Sequence, residues 1–142
     1  MPNNTPTYTA SDLTTAQTNL SNEQARRSQL VEKRDRLQNA YDSLSSYKDQ
    51  FEEQKNTFNN SIYNGSFQWQ GEKHDALAGE FGTFFYIYYN YNDVYNRIDN
   101  VLDDINLTRC SLDIEIDTCD GNISSLRTLV NIISTYLQNL TN

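Results

Sequence analysis

The chain has 142 residues, a mass of 16.4 kDa and a formal net charge of −8, which is one domain by length and acidic overall. Hydrophobic residues make up 37%, with two Pro and five Gly, so a fold with many turns is not expected and a few long elements are. The charge argues against a nucleic-acid partner, because a phosphate backbone would be repelled. Stable membrane insertion is not expected either, since no apolar run approaches the roughly 20 residues that span a bilayer.

The first elements are a disordered tail at residues 1–10, which are polar and aperiodic, and a helix at about 11–60. Ser11 or Ser21 is the predicted N-cap, and Ser21 to Gln24 fits a capping box. Apolar side chains then recur every seven residues, as in a coiled coil: Leu30, Leu37, Leu44, Phe51 and Phe58. A companion row carries cations whose aliphatic stems can cover apolar surface while their charges reach water: Arg27, Arg34, Lys48 and Lys55.

A turn is predicted at about 61–71, where the stretch "NGSFQWQGEKHDAL" (64–77) holds the only Trp and the only His. Gly71 permits a sharp entry into a second helix whose first turn is acidic, as the helix dipole favours. Trp69 is expected to fold over the end of the bundle and close it.

The second helix, predicted at about 72–140, carries two heptad rows that are apolar or aromatic at every position except Arg109. One row is Leu77, Phe84, Tyr91, Ile98, Ile105, Leu112, Cys119, Leu126, Ile133 and Leu140; the other is Phe81, Tyr88, Tyr95, Leu102, Arg109, Ile116, Ile123, Val130 and Leu137. Two amphipathic helices and a short connection predict an all-α fold: a long antiparallel helical hairpin, with the second helix the longer. A break near Gly121 is left open, although the unbroken heptad phase favours a continuous helix.

Two candidate partner surfaces follow from this hairpin. Counting back from a turn near residue 66 places Ser11 level with about residue 121, so the end of the second helix should overhang and need a cover: Ile123, Leu126, Val130, Ile133, Leu137 and Leu140. A second set lies off both seam rows and should be exposed: Phe85, Tyr86 and Ile87. Either a partner or a second copy of the chain would bury these side chains.

Residues capable of catalysis or metal binding do not form a recognisable set. His74 has no second ligand at helical spacing and is interpreted as solvated. The run Asp113-x-Glu115-x-Asp117 lacks the Gly and the closing Glu of a calcium loop. Cys119 is expected to pack as a small hydrophobe and Cys110 to be a free thiol. The sequence therefore predicts neither an enzyme nor a bound cofactor or metal.

Trp69-Gln70-Gly71 is a W-x-G motif between two long amphipathic helices in a small acidic chain. In this the chain resembles the WXG superfamily of type VII secretion proteins, and its helices are most similar to the YwqH-like branch of small helical partners of LXG toxins. The resemblance covers roughly residues 20–140. It implies an export signal that combines the W-x-G turn with a Tyr-x-x-x-Asp pair, for which Tyr89 with Asp93 and Tyr95 with Asp99 are the candidates.

The resemblance also implies a non-enzymatic partner or targeting factor for a larger helical secreted effector of the LXG type, with a second small helical partner left open. It implies a cytoplasmic location before export. Whether the chain itself is then secreted through a type VII system, without a cleaved signal peptide, is left open. A different interpretation is a self-assembling structural coiled coil, such as a phage or surface component, in which W-x-G serves only packing. The client, the stoichiometry and co-export are not determined by the residues.

Overall fold

The computed structural model describes residues 4–66 and 73–142, with side chains for 4–60 and 86–142. It contains two α-helices, α1 (Ala10–Ser66) of 57 residues and α2 (Lys73–Thr141) of 69 residues, and no strand within these described ranges. The helices pack against each other. The predicted all-α helical hairpin with a longer second helix is therefore confirmed.

Thr9 caps the first turn of α1. Its hydroxyl oxygen accepts a hydrogen bond from the Asp12 N–H at 3.2 Å, and the Asp12 carboxylate accepts one from the Thr9 N–H at 2.7 Å. This reciprocal pair is a capping box, and it satisfies backbone donors that the helix leaves unpaired. The predicted caps Ser11 and Ser21 lie inside α1 instead, because the Thr9 box is available upstream and Ala16 is already buried in the seam.

The connection between the helices begins later than predicted. α1 continues to Ser66, whereas the sequence predicted a helix end at about 60 and a turn at 61–71. Asn64 and Gly65 fall within the predicted turn, but one Gly costs a helix only about 1 kcal/mol, which does not force a helix to end. Trp69 and Gly71 lie outside the described residues.

α2 runs without interruption through Gly121, which settles the question that the sequence left open. Gly121 is exposed, and a Cβ atom added to it would meet nothing within 4 Å. Its neighbours Cys119 and Ile123 are both buried. Burial on either side offsets the intrinsic cost of the glycine, which is about 1 kcal/mol, so a loop offers no gain here.

The chain divides into two compact units: a terminal unit of residues 1–36 with 109–142, and a central unit of residues 37–108. In the terminal unit Arg27 bonds to Asp120 and Arg34 to Asp113, so seven residues forward on α1 correspond to seven residues back on α2. The two segments are thus antiparallel. Their buried core consists of Ala16, Leu30, Leu112, Ile116, Cys119, Ile123 and Ile133.

The central unit has an aromatic seam. Phe51 of α1 packs against Tyr91 of α2 with ring centroids 4.7 Å apart, and Phe58 stacks on the same ring at 6.3 Å. These rings are only half-buried, and Leu102 is the single buried apolar side chain among the described residues of this unit. The described part of the central unit is therefore held by ring contacts at its surface more than by a closed core.

Candidate partner-binding surface

Cations of α1 meet acids and amides of α2 at heptad spacing within each unit. In the terminal unit Arg27 binds Asp120 at 2.5 Å and Arg34 binds Asp113 at 3.5 Å. In the central unit Lys48 binds Asp99, and Lys55 donates to the Asn92 side-chain oxygen at 2.6 Å. The sequence predicted that the charges of these cations reach water, and it did not predict their partners on α2. The signal was present, because Asp or Asn recurs every seven residues along α2: Asn92, Asp99, Asn106, Asp113 and Asp120.

The candidate pair Tyr95 and Asp99 is occupied by contacts inside the central unit. The Lys48 ammonium lies 4.6 Å from the centroid of the Tyr95 ring, a cation–π contact, and donates a hydrogen bond to Asp99. That hydrogen bond raises the pKa of Lys48 above its ordinary value. A partner could engage Tyr95 and Asp99 only by displacing Lys48.

The other candidate pair, Tyr89 and Asp93, lies at the surface. Tyr89 is 73% exposed, and Asp93 forms an exposed ion pair with Arg97, one turn further along α2, at 3.0 Å. Exposed pairs of this kind contribute little stability and exchange easily with solvent or with another ligand. Of the two pairs, Tyr89 and Asp93 are the ones a partner can reach without opening the hairpin.

The predicted overhang at the end of α2 is wrong. The Tyr8 ring packs edge-on against Tyr136 at 5.6 Å, and Glu23 accepts a hydrogen bond from Asn122, so the start of α1 lies beside the end of α2. Of the six side chains predicted to need an external cover only Leu140 is exposed, and the other five are buried or half-buried: Ile123, Leu126, Val130, Ile133 and Leu137. The counting failed because it set the turn at residue 66, where α1 is still helical. That turn would place Arg27 level with about residue 105, whereas Arg27 binds Asp120.

Exposed apolar side chains are concentrated on α2. Among the described residues nine large hydrophobic side chains are exposed, and only Tyr47 belongs to α1. Five of the others lie in the central unit, off both seam rows, and we call them the exposed α2 face: Tyr86, Tyr89, Val94, Val101 and Leu107. Such a concentration of apolar surface marks a candidate binding site.

Sequence reasoning identified part of this face. Tyr86 is exposed as expected, Ile87 is half-buried, and the side chain of Phe85 lies outside the described residues. Val94, Val101 and Leu107 were missed, although their positions off both seam rows could have revealed them.

A small polar cluster interrupts the seam of the terminal unit. Glu23 occupies the apolar heptad row of α1, seven residues before Leu30, and its carboxylate accepts a hydrogen bond from the Asn122 side-chain amide at 3.2 Å. Burial, and next the Glu23 carboxylate, raise the pKa of Cys119, which keeps the thiol protonated. Cys119 is buried in the core as predicted, and Cys110 is an exposed free thiol as predicted.

No group of three or more His, Cys, Asp or Glu side chains in the described part of the chain is arranged to hold a metal ion. Within the same residues neither helix has a segment long and apolar enough to cross a membrane. The side chain of His74 lies outside this description. Comparison of the chain with protein-family models, with curated proteins and with solved structures gave no match.

Proposed function

We propose that this chain is a non-enzymatic helical partner that binds a larger secreted effector of the LXG type and targets it to a type VII secretion system. The proposal joins the W-x-G resemblance to one structural observation, the exposed α2 face. Tyr86 and Tyr89 carry that observation: they are three residues apart on α2, so they share one side of the helix, and they are 69% and 73% exposed.

Two neighbouring exposed tyrosines favour binding over a purely structural role. Tyrosine is enriched at the centres of protein interfaces, because its ring buries a large area while its hydroxyl keeps a hydrogen-bonding partner. Neither side chain contributes to the hairpin seam, so folding does not require an aromatic residue at either position. A helical segment of the effector, laid along α2, would bury both rings.

Co-expression of the chain with an LXG-type effector, followed by size-exclusion chromatography, tests the proposal. The double variant Tyr86→Ser/Tyr89→Ser should lose co-elution while keeping its helicity and melting temperature. Tyr47→Ser is the matched control, because Tyr47 is equally exposed but lies on α1. Failure of the unaltered chain to bind the effector would reject the function, and undiminished binding by the double variant would reject the assigned face.

A secretion assay separates the two tyrosine–aspartate pairs. If Tyr89 and Asp93 belong to the export signal, Tyr89→Ala should reduce effector export while leaving circular dichroism and thermal stability normal. Tyr95→Ala should lower stability, because the Lys48 ammonium rests on that ring. Normal export by the Tyr89 variant would remove this pair from the signal.

A self-assembling structural coiled coil is the second candidate, and exposed apolar residues in the terminal unit favour it: Ile114, Ile132 and Leu140. Such a protein would form higher oligomers by itself. Sedimentation velocity of the purified chain over a wide concentration range distinguishes the two functions. A single small species at every concentration would reject self-assembly.

A further inference from the structure

We propose that the occupant of the exposed α2 face is a basic amphipathic helix, with an apolar row flanked by Lys or Arg. The identification of this helix as part of a secreted effector rests on the proposed function. Its chemistry rests on the side chains and charges of the central unit.

The apolar part of the site extends beyond the two tyrosines. Val94 and Val101 are seven residues apart on α2 and are 42% and 47% exposed, and Leu107 is 70% exposed. A leucine left in water forfeits the free energy that its burial would provide. These five side chains are spread around about 140° of α2, so a helix that lies along the middle of this face would bury part of each and recover part of that free energy.

Two acids lie among these apolar side chains. Asp104 is three residues from both Val101 and Leu107, and Asp103 is four residues before Leu107, so both are neighbours of the apolar residues on the helix surface. Both carboxylates are exposed, and neither forms an ion pair with any residue that the structure describes. The other two acids of α2 whose side chains are described in this unit are already paired, Asp93 with Arg97 and Asp99 with Lys48. Asp103 and Asp104 remain free to receive cations from a partner.

The net charge of the central unit supports the same partner. Residues 37–108 contain eleven Asp and Glu and four Lys and Arg, a net of −7, whereas the terminal unit has eight acids and seven bases, a net of −1. Nearly all of the net negative charge of the chain thus belongs to the unit that carries the exposed α2 face. The central unit of a second copy would bring like charge to this face and be repelled, and the terminal unit, with a net of −1, offers little attraction, so the charge favours a different, basic chain as the occupant.

Matched synthetic peptides test the chemistry on the full chain. Two peptides of roughly 20 residues, long enough to form a helix, share one Leu row and carry either Lys or Glu on its flanks. Fluorescence anisotropy should show the Lys peptide binding at least about tenfold more tightly, with the difference shrinking as salt screens the charges. Equal affinity for the two peptides would overturn the proposal.

Charge-neutral variants show whether the cations of the Lys peptide bind Asp103 and Asp104 or are attracted by the net negative charge of the chain in general. Asp103→Asn/Asp104→Asn should weaken binding of the Lys peptide by about fivefold, as expected for the loss of two rim ion pairs. Glu52→Gln/Glu53→Gln is the control, because it removes two adjacent exposed charges from α1 of the same unit. Leu107→Ser should weaken binding as well. An equal loss in both charge variants would indicate general attraction and overturn the proposal.

The outcomes also distinguish this inference from the proposed function. If the effector co-elutes with the chain but the Lys peptide does not bind, the basic helix is rejected and the partner function stands. If the Lys peptide binds with the expected variant pattern but the effector does not co-elute, the function is rejected and the site stands. Oligomers whose formation blocks the peptide would identify a second copy as the occupant and overturn the proposal.

Discussion

Lys48 of α1 donates a hydrogen bond to Asp99 of α2, and the same ammonium lies over the ring of Tyr95. One side chain therefore links two positions of α2 that are four residues apart, and it does so at the edge of the aromatic seam. The Lys48 side chain is mostly buried, which limits its access to water. Lys48 therefore makes a specific cross-helix contact and is not simply a solvated charge.

A double-mutant cycle with Lys48→Met and Asp99→Asn, measured by urea unfolding, should give a favourable coupling free energy. The coupling should shrink in about 1 M NaCl, where the screening length falls to about 3 Å. The exposed pair Asp93 and Arg97 provides the control and should show weaker coupling, because both groups are well solvated. Equal coupling in the two cycles would contradict the special role of Lys48.

Ile133 and Ile132 are adjacent in α2, yet Ile133 is 1% exposed and Ile132 is 49% exposed. Ile133→Ala should lower the free energy of unfolding by about 2 to 5 kcal/mol, because it removes apolar contacts and leaves a cavity. Ile132→Ala should cost about 1 kcal/mol or less. Chemical denaturation of both variants measures the difference, and similar losses would mean that the end of α2 is not packed on α1 as described.

Gly121 lies on the exposed side of a continuous α2 and has room for a methyl group. Gly121→Ala should therefore raise the free energy of unfolding by about 1 kcal/mol, since alanine loses less backbone entropy on forming a helix. Thermal unfolding of the two proteins provides the measurement. A destabilised alanine variant would indicate that the glycine adopts a conformation other than α-helical.

Glu23 should make stability depend on acid pH. Hydrogen bonds from Cys119 and then Asn122 lower the pKa of this carboxyl below its ordinary value of 4.5. Folding thus favours the ionised form of Glu23. The stability that this carboxylate contributes is fully present above pH 4.5, the pKa in the unfolded chain, and is lost as the pH falls through the lower pKa of the folded chain. Urea midpoints measured from pH 7 downward should fall less steeply for Glu23→Gln. Identical acid profiles would show that Glu23 has no such role.

The sequence by itself determined the two helices and the faces they bury. Apolar side chains at seven-residue spacing, from Leu77 to Leu140, predict α2, and their unbroken phase across Gly121 correctly favoured a continuous helix. The spacing of apolar residues predicts a helix and its buried side because a helix repeats every 3.6 residues, so the position of a residue in the sequence fixes the side of the helix on which it lies. The free Cys110 and the buried Cys119 follow from the same pattern.

Only the tertiary structure decided which heptad of α1 lies opposite which heptad of α2. Sliding one helix by seven residues leaves both seams apolar, so periodicity cannot choose among these registers. Long-range pairs such as Arg27 with Asp120, and Tyr8 with Tyr136, show which register the chain adopts. In this register the start of α1 covers Ile133, and the exposed α2 face of the central unit is left as the candidate binding surface. The sequence could not determine this, because the exposure of a side chain depends on which residues of the other helix lie opposite it.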